Sequence, residues 1–488
     1  MYGTNVLSPT SGASRSNRFG NRQNGSRAAI LTFDFAKGTA GRRGYRATHS
    51  STFRSTARSM KPMIDETDEA NNKQNHRPPH VQFNFAMGLI HGVLFRAGMA
   101  FSEPMSVLPV FLNHFTGSQA MIGVFSALMN AGSVLPQLFV ANRLAGRRRK
   151  KPVLVIAIWI RAAVWLFLGL LAYFCPADQS TIVLVGLLVL LFAFSFAGGV
   201  ATIPFTDIWG KALPATLRGR FFGHRQLWGG LLAVGAGYVV KQILGNPEIP
   251  FPRNYAFLFL LSFAFIAVSY VALTCLREPE NSSTGRTRKL GHFLRRCITI
   301  LRKHRNLRIF IFSQLAVGFA TFAMPFYVLY GKNELHMAAE QVGILIGAQM
   351  AGSIVSNVLW AHLSDRVGNR IVIILTAVTA ATIPLLALLS SGVGWKLLIG
   401  VFALIGFATS GQGIGFTNYL LEIAPERLRP TYIALRGTLN GLTIVWPILG
   451  GVVIDEWSYP VTFTITLIVL TAGLVLSLAL KPVRSDNV

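Results

Sequence analysis

Charged residues are scarce in this chain. Asp, Glu, Lys and Arg make up 13% of its 488 residues, against about 25% in soluble globular domains. Acidic residues are the rarer kind, with 19 Asp and Glu beside 46 Lys and Arg. Because 52% of the residues are hydrophobic, the composition excludes an ordinary soluble domain and favours a protein that lies in a membrane.

Cysteine is equally scarce, and reactive constellations are missing. The three cysteines, Cys175, Cys275 and Cys297, lie far apart, which excludes a disulfide framework and a cysteine-based zinc site. The apolar part of the sequence contains no Ser/His/Asp, metal-ligand or phosphate-binding pattern. We therefore expect no enzyme, no cofactor and no bound metal.

Long apolar runs fill the sequence from about residue 82 onward. A helix needs about 20 residues to cross a hydrocarbon core of about 30 Å, and each run is long enough. The run at 187–199 does not alternate in polarity as membrane β-strands do. We predict an all-α integral membrane protein. Its twelve predicted spans are 84–112, 119–142, 153–175, 181–209, 226–246, 254–276, 307–330, 339–362, 371–390, 395–421, 432–455 and 460–480.

Lys and Arg concentrate in alternate loops. The loops after the even-numbered spans, together with the C-terminal tail, carry far more basic residues than the other loops. The positive-inside rule therefore places these loops and both termini in the cytoplasm. Topology and a basic N-terminal tail account for the net charge of +27, so we expect no nucleic-acid partner. We predict a multi-pass protein of the plasma (inner) membrane, with an organellar membrane as the alternative.

The two halves of the sequence resemble each other. Residues 122–142 align without gaps with 342–362, and 214–230 align with 425–441. The residues repeated in the two alignments include Gly123 and Gly343, Ser133 and Ser353, and Arg225 and Arg436. Spans 1–6 and 7–12 are thus two copies of one six-helix unit in the same orientation, which is a transporter architecture.

The charged turn LSDRVGNR (363–370) carries a family resemblance. Together with the two repeats and the long basic middle loop, its Asp365, Arg366, Gly368 and Arg370 resemble the major facilitator superfamily, whose turn after helix 2 reads roughly G-x-L-A-D-R-x-G-R-K. The first-half copy is degraded: Asn142 stands at the Asp position, followed by Arg143 and, after an insertion, Gly146. The resemblance covers about residues 81–482 and supports no subfamily.

In that family the turn is a latch that closes the cytoplasmic side. The resemblance implies that Asp365 meets positive groups at neighbouring helix ends, with Arg436 as a candidate partner. The alternative is a tight turn flanked by charges that only set topology. Asp207 is expected to pair with Arg218 or Arg220 at the same side.

Polar residues at membrane depth are the candidates for a transport site. Glu103 and Arg96 in span 1 are seven residues apart, hence near one helical face, and Pro104 should disturb that helix. Glu103 is predicted to carry protons; a structural ion pair with Arg96 or Arg161 is the alternative, and Arg161 could equally serve helix pairing. Amide side chains line a cavity or link helices. The amides chosen as candidates are Asn130, Gln314, Gln349, Gln412 and Asn440.

The remaining segments divide the chain. Residues 1–80 form a basic tail that we expect to be disordered and that could reflect an over-extended start, 81–279 the first half, 280–306 a basic linker, 307–482 the second half and 483–488 a tail. The linker contains a basic amphipathic stretch that should lie on membrane lipids. We expect a monomeric, proton-coupled secondary transporter of a small solute. A uniporter or a non-transporting receptor or scaffold is the alternative.

Overall fold

The computed structural model describes residues 80–144, 149–174, 180–279, 299–425 and 428–482. These residues belong to one compact unit, Asn72–Val488. Within the described ranges the regular structure is helical, with no strand. The predicted basic tail, most of the linker and the last six residues lie outside the described residues.

The first half consists of helices joined by short connections. Its elements are α1 (Val81–Ala100), α2 (Val107–Asn113), α3 (Gln119–Leu144), α4 (Lys151–Phe174), α5 (Ser180–Ala212), α6 (Ala215–Leu244) and α7 (Arg253–Cys275). We call the end at which α1 begins and α5 finishes the basic end, since Lys150, Lys211 and Arg277 lie there. The other end is called the opposite end.

The second half repeats this arrangement. Its elements are α8 (Arg305–Gly318), α9 (Phe326–Asn333), α10 (Gln341–Arg366), α11 (Asn369–Val393), α12 (Leu397–Ile423), α13 (Arg429–Asn440), α14 (Trp446–Glu456) and α15 (Tyr459–Leu478). Short 3-10 turns, Phe319–Phe322 and Gly441–Val445, connect α8 towards α9 and α13 to α14.

Ten helical segments in the described part of the chain are long and apolar enough to cross a membrane. They are α4 to α7, α10 to α12, α15 and the two interrupted segments 305–333 and 431–456. Large apolar side chains point outward from these helices: Ile156 is 64% exposed and Ile468 63%. Such a surface is stable in lipid, and helices satisfy their backbone hydrogen bonds there. The chain is an integral multi-pass membrane protein.

Packing within the two halves is equivalent. In the first half α3 and α4 pack on α5, and α4 packs on α7; in the second, α10 and α11 pack on α12, and α11 packs on α15. Among the described residues, the halves meet most extensively along two helix pairs, α3 with α14 and α6 with α10. Gly123 of α3 and its repeat Gly343 of α10 lie at these two contacts. A Cβ on Gly123 would be 2.2 Å from the Pro447 carbonyl oxygen, and one on Gly343 would be 2.3 Å from that of Gly237.

Three helical segments are interrupted near a proline. The α-helical hydrogen-bonding pattern is interrupted between α1 and α2 around Pro104, and it changes to 3-10 geometry between α8 and α9 before Pro325 and between α13 and α14 before Pro447. Proline cannot donate the backbone hydrogen bond of a helix interior. Pro136 and Pro204 lie inside unbroken helices, so proline alone does not fix the position of a break.

Candidate functional site

The main cavity lies between the two halves. Its volume is about 920 Å³, and its walls come from α1 and α6 of the first half and from α10 and α12 of the second. Phe222 and Val358 line it and are 47% and 72% exposed. Both lie in the parts of α6 and α10 that approach the basic end, so the cavity opens towards that end.

A polar cluster on the cavity wall connects the halves. Arg96 Nη1 donates to Gln226 Oε1 in the first half, and Arg96 Nη2 donates to Ser353 Oγ in the second at 3.1 Å. Ser353 Oγ lies 3.0 Å from Ser410 Oγ, which accepts from Asn357 Nδ2 at 3.2 Å. Arg96, predicted as a site residue, is thus held by Gln226 and Ser353, neither of which was predicted as a site residue.

Arg225 is a second cation on this wall, and the sequence analysis did not choose it as a site residue. Its side chain lies directly over Gly92, where a Cβ would be 2.0 Å from Arg225 Nε. Its guanidinium carbon is 5.6 Å from the centre of the Phe205 ring. Arg225 is the repeat partner of Arg436, so the internal alignment contained the signal that could have identified it.

A smaller cavity of about 260 Å³ adjoins the main one and shares Thr409 and Gly413 with it. It brings together three predicted cavity residues and one predicted gate residue, namely Gln314, Gln412, Asn440 and Arg436. Arg436 Nε donates to Gln314 Oε1 at 3.0 Å, and Gln314 Nε2 donates to Asn440 Oδ1 at 3.2 Å. Arg436 therefore faces a cavity here and does not contact Asp365.

Glu103 lies in the break between α1 and α2. Its carbonyl oxygen accepts the amides of Ser106, Val107 and Leu108 at 3.0 to 3.3 Å. Its carboxylate forms no ion pair within 4.0 Å with any described residue. Because α1 ends at Ala100, the seven-residue spacing from Arg96 does not translate into one continuous helical face.

The other predicted cavity residues lie apart from the main cavity. The Arg161 guanidinium packs between two rings, 4.2 Å from the centre of Phe194 and 5.3 Å from that of Phe95. Gln349 is buried in α10, and its Oε1 has no hydrogen-bond partner among the described residues. Asn130 is exposed on α3, outside the cavity walls that the described residues form.

The charged turn after α10 is fixed within its own half. Gly368 has φ of +101°, a conformation that favours glycine. Arg370 Nη2 donates to the Leu478 carbonyl at 2.9 Å. Asp365 and Arg366 are exposed, and within the described ranges Asp365 forms no ion pair. The predicted latch contact is therefore not made in this conformation.

The first-half counterpart differs from the expected pairing. Asp207 contacts Lys150 Nζ at 3.1 Å and Lys211 Nζ, whereas Arg218 donates to the carbonyls of Gly210 and Leu213 at 2.6 and 3.1 Å. The expectation that Asp207 pairs with Arg218 or Arg220 was wrong, because the two lysines are closer to its carboxylate. Of the degraded turn, Arg143 is exposed; Gly146 and the side chain of Asn142 lie outside the described residues.

The opposite end is closed by contacts between the halves that sequence reasoning did not identify. Asp455 at the end of α14 accepts the backbone amides of Gln119 and Ala120, which begin α3, at 2.7 and 2.9 Å. Asn113 Nδ2 donates to Asn333 Oδ1 at 3.3 Å. The cavity is therefore open towards the basic end and sealed at the opposite end.

Comparison with known proteins agrees with this architecture. The sequence model of the Major Facilitator Superfamily matches residues 90–332 and 319–487. The chain belongs to the major facilitator superfamily. An uncharacterized MFS-type transporter of Methanocaldococcus jannaschii is 23% identical over 350 residues, which cover 70% of this chain and 80% of that protein. An uncharacterized protein of Mycobacterium tuberculosis is 23% identical over 407 residues, or 80% of this chain and 75% of that protein.

Solved structures of other transporters share the fold. A bacterial homologue of the iron transporter ferroportin in an inward-facing state has a TM-score of 0.62 at 14% identity, over 81% of this chain and 98% of that one. The nucleoside transporter NupG has a TM-score of 0.58 at 15% identity, over 82% and 98%. Membership of this family makes the chain a membrane transporter and not an enzyme.

Proposed function

We propose that the protein is a secondary transporter that moves a small solute by alternating access. The observation that carries this is the cavity between two equivalent halves, open towards one end and closed at the other by Asp455 and the Asn113–Asn333 contact. Helices α3 and α14, and α6 and α10, are the pairs about which the halves would rock.

The orientation follows from charge. For the twelve predicted spans, the positive-inside rule places both termini in the cytoplasm, which makes the basic end cytoplasmic and the described conformation inward-facing. We place the protein in the plasma membrane as a monomer. We propose two further crossing segments beside these ten spans. One is formed by α1 and α2 together and the other by α3, because the alternation of basic loops requires both to cross.

Energy coupling is proposed to use protons through Glu103. Its carboxylate lies at a break in α1–α2 at membrane depth and is free of an ion pair among the described residues. A carboxyl group in that setting can bind and release a proton as its surroundings change. The remaining possibility of uniport would show as transport that ignores a pH gradient.

The test is transport by purified protein in liposomes. Saturable uptake or exchange of at least one solute from a panel is expected. It should be lost when Gly123 is replaced by Leu, because the larger side chain would collide with the Pro447 backbone and hold the opposite end apart. Gly235→Leu is the matched control, since no atom lies within 4 Å of a Cβ there. Absence of flux for every solute, together with specific solute binding, would favour a receptor instead.

A further inference from the structure

The main cavity carries an excess of positive charge. Among the described residues that line it there are two arginines, Arg96 and Arg225, and no Asp or Glu. The adjoining small cavity adds Arg436, again with no acidic residue among its described lining residues. Burying cations at membrane depth without a counter-charge is costly, and such residues mark substrate pathways.

The three arginines differ in how far their donors are used. Arg96 and Arg436 donate to amides and hydroxyls. Arg225 donates no hydrogen bond within the described part of the chain; its stem lies over Gly92, and its guanidinium lies 5.6 Å from the centre of the Phe205 ring. A guanidinium has five N–H donors and no acceptor, so Arg225 retains its fork of donors for a group in the cavity.

A carboxylate of the protein does not take that place. Glu103 interacts electrostatically with Arg96, but it lies in the break between α1 and α2 and not on the cavity wall. Gly92 keeps the Arg225 side chain in position, because any larger residue there would overlap the Arg225 stem. The close approach of α1 and α6 at Gly92 therefore fixes the position of the Arg225 charge on this wall.

The rest of the wall is mainly apolar. The apolar side chains that line it include Phe95, Met99, Phe222, Leu227, Ile354 and Val358. The volume of about 920 Å³ lies in the range of about 300–1,000 Å³ that is typical of sites for small organic ligands. A matching ligand carries negative charge at one end and apolar surface elsewhere.

We propose that the transported solute is an organic anion, a carboxylate or phosphate on an apolar body, whose charged group binds Arg225 and Arg96. This inference rests on the proposed transport function and specifies its substrate class. Arg–carboxylate and Arg–phosphate pairs are often bidentate, which fits the free fork of Arg225. A metal cation would meet two like charges here, and the described residues contain no cluster of potential metal ligands.

The test compares ligands that share one ring and differ in charge. Benzoate and phenyl phosphate, neutral benzamide and cationic benzamidine are titrated at fixed ionic strength into the purified full-length protein, with thermal unfolding as the readout. We expect the two anions to raise the unfolding temperature and benzamide and benzamidine to leave it unchanged. Arg225→Gln should weaken anion binding about tenfold, the equivalent of about 1.4 kcal/mol.

Arg253→Gln is the matched control. Arg253 also packs over an aromatic ring, 5.5 Å from the centre of Tyr173, but it begins α7 at the opposite end, outside the cavity. Its variant should bind the anions as the wild type does. Arg225→Lys retains the charge but loses the fork, and an intermediate affinity is expected.

Two outcomes would overturn the inference. The first is that neither anion raises the unfolding temperature of the wild type, or that benzamide or benzamidine raises it equally. The second is that Arg225→Gln binds the anions with wild-type affinity. Parallel uptake measurements separate this from the transport proposal. If a neutral or cationic solute is transported and Arg225→Gln does not change its flux, the transport proposal holds and the organic-anion substrate is wrong. If anions bind through Arg225 but no solute is transported, the anion site holds and the transport proposal is wrong.

Discussion

Asp455, in the second half, caps the N-terminus of α3 in the first half. Its two carboxylate oxygens accept the amides of Gln119 and Ala120, and Oδ2 also accepts the Ser118 hydroxyl at 2.8 Å. A carboxylate at a helix N-terminus satisfies unpaired amides and interacts favourably with the helix dipole. Here the cap comes from another helix, so it must break whenever the opposite end opens.

Asp455→Ala should therefore favour opening at the opposite end. Loss of a cap costs about 1 kcal/mol, which shifts a two-state equilibrium roughly fivefold. The measurement is the rate at which an impermeant thiol reagent, added on the opposite side, labels a Met99→Cys reporter in the cavity in a background without native cysteines. Glu456→Ala, the exposed neighbour, is the control. Equal labelling in both variants would show that the cap does not contribute to closure.

Gly92→Ala should weaken anion binding as Arg225→Gln does, although it leaves Arg225 in the sequence. The new Cβ would lie 2.0 to 2.2 Å from three atoms of the Arg225 side chain, so that side chain must move away. We expect benzoate affinity to fall about tenfold while the protein still purifies as a monodisperse species. Gly235→Ala in α6, where a Cβ meets no atom within 4 Å, should have no effect. Wild-type affinity in Gly92→Ala would mean that the position of Arg225 does not matter for binding.

Asp365→Asn tests the latch at the basic end. In the described conformation Asp365 is exposed and unpaired among the described residues, so the substitution should leave the inward-open state intact. It should weaken only the state in which the basic end is closed. The expected result is faster labelling of a Val358→Cys reporter from the cytoplasmic side, with slower transport. Glu248→Gln at the opposite end is the control, and unchanged labelling and transport would remove Asp365 from gating.

The fold could be predicted because lipid imposes simple rules. Apolar runs of sufficient length, basic loops on one side and the internal repeat are all local features of the sequence. The boundary of α6 shows the limit: the predicted span began at residue 226, whereas the helix begins at Ala215. Its first three turns carry Arg218, Arg220 and Arg225, which interrupted the apolar run, although Arg225 faces the cavity and not lipid.

The site was harder to predict, because the sequence shows how deep a residue lies in the membrane but not what its side chain faces. Arg96, Gln314, Gln412 and Asn440 were chosen by depth in the membrane, and each lines a cavity. Depth cannot show which face of a helix a residue occupies, so Arg161, which packs between two rings, received the same weight. Contacts between distant segments leave no local trace. The cap from Asp455 depends on where α14 ends relative to α3, more than three hundred residues earlier in the chain.

The last prediction concerns energy coupling through Glu103. Three amides donate to the main-chain oxygen of Glu103, so the backbone itself supports the break between α1 and α2. Glu103→Gln should therefore preserve the fold while removing the group that can exchange a proton. Purified variant and wild type should have the same unfolding temperature, and Glu334→Gln, an exposed acidic position at the opposite end, serves as the matched control.

In liposomes with an imposed pH gradient, the wild type and Glu334→Gln should accumulate solute, and Glu103→Gln should not. Exchange of labelled for unlabelled solute needs no net proton movement, so it should continue in Glu103→Gln at a rate close to that of the wild type. Accumulation that persists in the variant would assign Glu103 a structural part only. Wild-type transport that is indifferent to the gradient would make the protein a uniporter or couple it to another ion. The exchange assay keeps these two results apart from a simple loss of folded protein, because a misfolded variant would fail in exchange as well.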